Sequence, residues 1–227
     1  MMPITSSLSR RAALALATLL LLGSTASVAS HHRRATADGG EPGQFDYYLL
    51  SLSWSPTYCL THPEDIGQCS GKGFGFVLHG LWPQFESGGY PQNCTADRQL
   101  SQQAAALGAS LYPSPKLVQH EWERHGTCSG MDPSDYFRTA DRAVAVVKVP
   151  EMFQAPRTTL SMTAAQIVAQ FRASNSALPE DGITVACSRG ELSEVRICLN
   201  RDLTIRSCGR RVRNSCPAVP VQLRAAR

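Results

Sequence analysis

Residues 120–128 read HEWERHGTC and bring two histidines, two glutamates, an arginine and a cysteine into nine positions. Three kinds of chemistry compete for such a stretch. A metal site would use His120, His125 and Cys128 as ligands. A proton-transfer site would use the histidines as acid or base, close to their ordinary pKa of about 6.5. A solvated helix face would use none of these groups chemically. On a helix turning about 100° per residue, with His120 at zero, Arg124 falls near ~40°, Glu121 near ~100°, His125 near ~140° and Trp122 near ~200°. Four polar groups therefore share one arc.

The zinc reading fits poorly. A zinc-binding H-E-x-x-H helix holds its histidines four apart and nearly in line. Here they are five apart and about 140° out of phase. In an oxidising compartment Cys128 is expected to be in a disulfide. The solvated reading keeps weight, because Glu121 and His125 form an ordinary i,i+4 pair and a C-terminal histidine suits the helix dipole. A second stretch, FVLHGLWPQ at 76–84, favours proton transfer. It ends an apolar run with His79, then Gly80 and Trp82. Alone, these would read as a core histidine and a core aromatic. Two histidine-bearing motifs with an adjacent glutamate and the fixed cation Arg124 point instead to acid–base chemistry.

The rest of the chain must position these motifs. Arg10 and Arg11, the apolar run Ala12–Leu22 and the small-residue stretch GSTASVAS have the layout of a secretory signal peptide, with cleavage predicted near Ala29. SRR at 9–11 hints at twin-arginine export. The apolar run is too short for a permanent span, and no second run of that length follows. A soluble protein, periplasmic or secreted and without a membrane anchor after cleavage, is predicted. Cleavage would lower the formal net charge from +4 to about +2, which permits a polyanionic substrate without arguing for one. Residues 30–44, including His31 and His32, read as a flexible, solvated arm. Residues 45–227 read as one domain.

All eight cysteines (59, 69, 94, 128, 187, 198, 208 and 216) follow the predicted cleavage point and imply four disulfides. No C-x-x-C pair occurs, so no structural metal cluster or other cofactor is predicted. On the order of a hundred pairings are possible; local closure favours Cys59–Cys69 and Cys198–Cys208. Strands are predicted at 45–54 and 73–83. Helices are predicted at 97–109, from Ser114-Pro115 to about His125, from Asp132-Pro133 to about Val147, and from Thr163 to about Arg172. Residues 183–187, 191–200 and 202–208 read as an antiparallel meander. The fold class is α+β: a central antiparallel sheet packed with several helices in a disulfide-stapled single domain. Arg201, Arg206, Arg210, Arg211 and Arg213 read as solvated surface, since no aromatic residue interleaves them.

FVLHGLWPQ and HEWERHGTC resemble the two active-site segments of the ribonuclease T2 family, the transferase-type acid endoribonucleases. FDYYLLSLSWSPTYC at 45–59 resembles that family's first strand, and GGYPQNC at 88–94 the loop after its first motif. The resemblance covers 45–137; beyond that mainly the cysteines carry it. It implies a monomeric, metal-independent endoribonuclease of low base specificity, acting on single-stranded RNA through a 2′,3′-cyclic phosphate. His125 would be the general base and His79 the general acid, with the roles reversed when the ring is hydrolysed. His120 would contact phosphate, Glu121 and Arg124 would support the transition state, and Trp82 would stack near ribose or base. The family usually has lysine where Arg124 stands; arginine keeps the charge and can bridge two phosphate oxygens. The resemblance also implies the pairs Cys59–Cys69, Cys94–Cys128, Cys187–Cys216 and Cys198–Cys208. Glu121 is expected to raise the pKa of His125. A scaffold that binds or inhibits without turnover, and a zinc hydrolase, are the alternative readings.

Overall fold

The computed structural model describes residues 39–226, all within one unit of the chain. The predicted signal peptide and residues 30–38 of the predicted arm, with His31 and His32, lie outside the described residues. The end of that arm is tied down: the Gly39 N–H donates to the Gln92 carbonyl (3.1 Å) and the Gly43 N–H to the Cys128 carbonyl (3.0 Å).

In chain order the main elements are β1 (Tyr47–Trp54), α1 (Ser55–Tyr58), α2 (Ile66–Cys69), β2 (Phe76–Gln84), α3 (Gln102–Leu111), α4 (Pro115–Arg124), α5 (Pro133–Val146), β3 (Leu160–Met162), α6 (Ala164–Ser174), β4 (Ile183–Ser188), β5 (Glu191–Leu199) and β6 (Val221–Leu223). The longer helices begin where side chains can cap them. Ser101, Ser114 and Asp132 accept from the N–H groups of Ala104, Leu117 and Asp135. Thr163 and Gln166 form a reciprocal capping box. Helix α3 starts at Gln102 rather than 97 because Ser101 supplies that cap, while Asp97 closes only a local turn with Gln99.

Strand β1 lies in the middle of the sheet, antiparallel to β2 on one side and β5 on the other. Strand β4 extends β5 antiparallel, and β6 joins β5 in parallel through Glu191 and Gln222 and carries β3. The α+β architecture is therefore as predicted, with a sheet made mixed by one parallel pairing. The third strand of the meander, at 202–208, does not form. Leu203 turns with φ 70°. The Asn200 N–H donates to Thr204 and the Arg206 N–H to Cys198, leaving only a Leu199–Ile205 bridge before the Cys198–Cys208 disulfide. All four disulfides join the pairs that the family resemblance implies. Two of the C-terminal arginines, exposed Arg201 and half-buried Arg206, also lie over aromatic rings. The guanidinium carbons of Arg201 and Arg206 lie 4.3 and 4.8 Å from the ring centres of Phe45 and Tyr47.

The large core covers one face of the sheet, with Leu50, Trp54, Val195 and Ile197 against Phe137 and Phe171. The other face carries Tyr47, Leu49 and Cys198, with Trp82 against them. Between these faces the β1–β2 register slips. Ser51 pairs with Gly80 and Leu52 with Leu78, so His79 has no partner on β1. This β-bulge lets Leu78 and Leu81 both enter the large core and re-aims the residue between them. A second bulge leaves Ser193 unpaired on β5, because Ala186 faces Glu194 and Cys187 faces Leu192. Gly80 is required here: a Cβ would overlap Glu121 Oε2 and Trp82 Nε1. The substitution Gly80→Ala is expected to cost about 1–3 kcal/mol through this overlap, read from urea unfolding followed by tryptophan fluorescence.

Candidate active site

Helix α4 carries His120, Glu121 and Arg124; His125 stands just past its end as the C-cap, with φ −118° and ψ −45°. Its N–H still donates to the Glu121 carbonyl (3.1 Å). That single departure from helical geometry aims the ring, which lies 6.5 Å from the His120 ring at 75°. Cys128 is bonded to Cys94 and so is not a metal ligand. Among the described residues no group of three or more His, Cys, Asp or Glu side chains is gathered as a metal site would need.

The first motif meets this helix end through Trp82. Its indole N–H donates to Glu121 Oε2 at 2.8 Å. The His79 ring meets the indole edge-on at 5.0 Å and the His125 ring lies 5.2 Å away, tilted by 31°. The two imidazoles therefore flank one indole and are at most 10.2 Å apart, the sum of those centre distances. The structure brings His79, Trp82, His120, Glu121, Arg124 and His125 into one locality. Tyr90, from the loop that resembles the family, stands 5.8 Å from His125.

The two histidines differ electrostatically. Burial alone would lower the His79 pKa, but its hydrogen bond to Glu194 and the charges of Glu194 and Glu121 outweigh that and raise it. The His125 residue is 6% exposed. Burial, then the charges of Arg124, His120 and His79, push its pKa down to about 3. The expected upward shift from Glu121 is thus reversed, because desolvation dominates and Glu121 turns one oxygen to Trp82. His120 is lowered by burial, then by Arg124 and His79. Burial lifts Glu121 to about 7. Glu121 Oε1 and His125 Nδ1 are buried without a hydrogen-bond partner.

A cleft of about 950 Å³ runs from His79, His120 and Glu194 toward Tyr58, Asp65 and Lys116. Sequence reasoning missed Glu194, whose Oε1 lies 2.6 Å from His79 Nδ1, and Arg196, whose Nε donates to Glu194 Oε2 at 2.7 Å. Their signal in SEVRIC was weak. Charged residues alternating with Val195 and Ile197 mark only the polar face of a strand in the predicted meander.

The ribonuclease T2 family model matches residues 45–208. A ribonuclease from Aeromonas hydrophila is 52% identical over 101 residues, which covers 44% of this chain and 46% of that protein. The chain thus spans about half the length of the curated relatives it matches. An RNase-related protein from Calystegia sepium shares the fold, with a TM-score of 0.67 at 22% identity over 83% of this chain and 100% of that one. A mutant of RNase MC1, from bitter gourd seeds, solved with 5′-UMP, gives a TM-score of 0.60 at 25% identity over 77% of this chain and 96% of that one. With the family model matching most of its length and these motifs converging around Trp82, the chain belongs to the ribonuclease T2 family.

Proposed function

We propose that this protein is an exported endoribonuclease that cleaves single-stranded RNA by transesterification, without a metal and with low base specificity. One observation carries the reading: two imidazoles flank Trp82 in surroundings that favour the charged form of His79 and the neutral form of His125. RNA supplies its own nucleophile, the 2′-hydroxyl. His125, neutral in the free protein, takes the 2′-hydroxyl proton. Its pKa climbs toward the working range once an anionic phosphate lies beside it, since an opposite charge favours the imidazolium. His79, held protonated, gives its proton to the leaving 5′-oxygen. A 2′,3′-cyclic phosphate results, and the two roles exchange if water then opens the ring.

Arg124 supplies positive charge, and Arg124 and His120 supply donors, to the phosphate oxygens. Below about 7 the Glu121 carboxyl is mostly protonated. In that form it places no negative charge beneath the phosphate site. Trp82 lies within reach of the ribose or base. The cleft beside His79 and His120 has room for flanking nucleotides. The 5′-UMP complex of RNase MC1 supports a nucleotide-binding site on this fold. The four disulfides suit an oxidising compartment, and no helix among the described residues is long and apolar enough to cross a membrane. The protein is read as a monomer whose partner is its RNA substrate.

Polymeric RNA is expected to be cut with or without EDTA, and the early product to end in a cyclic phosphate. His125→Ala and His79→Ala should each lose at least about 10²-fold in kcat. Cleavage of DNA at a comparable rate would contradict the 2′-hydroxyl mechanism, and loss with EDTA would favour a metal hydrolase. No cutting by the wild type would favour a binding protein. Because His79 must keep its proton and His125 must lack one, kcat/KM is expected to fall as pH rises through the raised His79 value. It should show no acid-side loss near about pH 6. Glu121→Gln, which still accepts from Trp82 and can donate, should retain activity within about tenfold, whereas Glu121→Ala should lose about 10²-fold; single-turnover rates at about pH 5 separate the two.

A further inference from the structure

We infer that Glu194, clamped by Arg196, is the positioning residue for the acid of this reaction: it fixes the orientation and tautomer of His79 from two strands away. The inference rests on the reading of His79 as the general acid. Strand β1 lies between β2 and β5, so His79 and Glu194 stand on strands about 9–10 Å apart. Their side chains cross that gap because β1 offers only serines in the way. Ser53 pairs with Glu194, and Ser51 pairs with Gly80 on one side and Arg196 on the other. Glu194 shares the face of its β1 partner Ser53, and the bulge at His79 lets its ring reach that face.

The contact is short and doubly secured. Glu194 Oε1 meets His79 Nδ1 at 2.6 Å, while Oε2 takes Arg196 Nε at 2.7 Å and Nη2 at 2.5 Å. The Glu194 side chain is only 12% exposed, against 34% for His79. An ionised carboxylate can only accept, so Nδ1 must carry a hydrogen and Nε2 is left as the reacting nitrogen. In the imidazolium form Nε2 donates to the leaving oxygen. Afterwards the neutral ring keeps its Nδ1–H on Glu194, so the carboxylate takes up no proton. Burial would raise the Glu194 pKa, but the His79 hydrogen bond and the Arg196 charge bring it to about 2. Arg196 thus keeps the clamp ionised, and its guanidinium carbon also lies 5.7 Å from the Trp82 ring centre. The other titratable groups around His79 are Glu121 and His120 on α4 and His125 at its end.

Two measurements on the full-length protein without its signal segment test this. In the wild type, 15N NMR of the imidazoles should show neutral His79 as the Nδ1–H tautomer, with the resonance assigned by its loss in His79→Asn. In Glu194→Gln, which keeps the shape and removes the charge, the His79 titration should move down by about one unit or more. RNA cleavage by that variant should then fall about tenfold in kcat/KM at about pH 8, but less than about threefold at about pH 5. A strut with no electrostatic role would lower stability or activity equally at both pH values. An Nε2–H tautomer in the wild type overturns the proposal without any variant having to fold, and so does an unmoved His79 titration in folded Glu194→Gln. Failure of the wild type to cut RNA strikes the ribonuclease reading instead, and the NMR result still reports on the pairing.

Discussion

The hydrogen bond from the Trp82 indole to Glu121, 2.8 Å long, ties the sheet to the end of helix α4, and the geometry of the site depends on it. It sets a buried carboxyl against the ring that both imidazoles touch. It is possible only because Gly80 lacks a Cβ. Burying a carboxyl is costly unless its partner compensates or it takes up a proton. Here both occur: one oxygen accepts from the indole, and the pKa moves to about 7. The remaining oxygen is a buried polar atom without a hydrogen-bond partner, a cost that the rest of the fold offsets.

Around that bond, two copies of the same side chain are made chemically different. His79 faces a carboxylate that is itself anchored by a guanidinium, so its charged form is favoured. His125 is desolvated beside cationic neighbours, so its neutral form is favoured. Neither effect is local in sequence. The first comes from a strand more than a hundred residues away, and the second from the depth at which the helix end is set. An acid and a base working at one pH need this divergence, because identical environments would give both rings the same proton occupancy.

The depth of the helix end is held covalently as well. The Cys94–Cys128 disulfide joins the loop after β2 to the turn after α4. Backbone bonds reinforce it: the Asn93 N–H donates to the Arg124 carbonyl at 3.0 Å, and the Cys94 N–H to Thr127 Oγ1 at 3.1 Å. The same loop brings the Tyr90 ring centre to 5.8 Å from that of His125. A site assembled from a bulged strand, a helix terminus and a loop is thereby kept at fixed spacing, as acid–base catalysis requires.

Much of this was legible in the residues themselves. Ser114-Pro115, Asp132-Pro133 and Thr163 announced helix starts because a cap is completed within three residues of its own position. Residues 45–54 and 73–83 read as strands from their runs of buried side chains, and His79 and the HEWERH helix stood out through motif spacing. Other features had no local signature. Residues 202–208 have strand-like composition but turn back at Leu203, where a single positive φ and the Cys198–Cys208 link outweigh propensity. Glu194 and Arg196 had no such signature, because alternation gives the face of a residue but not what covers that face. What the sequence by itself determined was the set of candidate site residues and most of the elements that bear them, since those rest on contacts between near neighbours. Only the tertiary structure decided which imidazole has surroundings that favour its charged form and which does not. That follows from strand register, two one-residue bulges and depth of burial, all of which arise when distant segments meet.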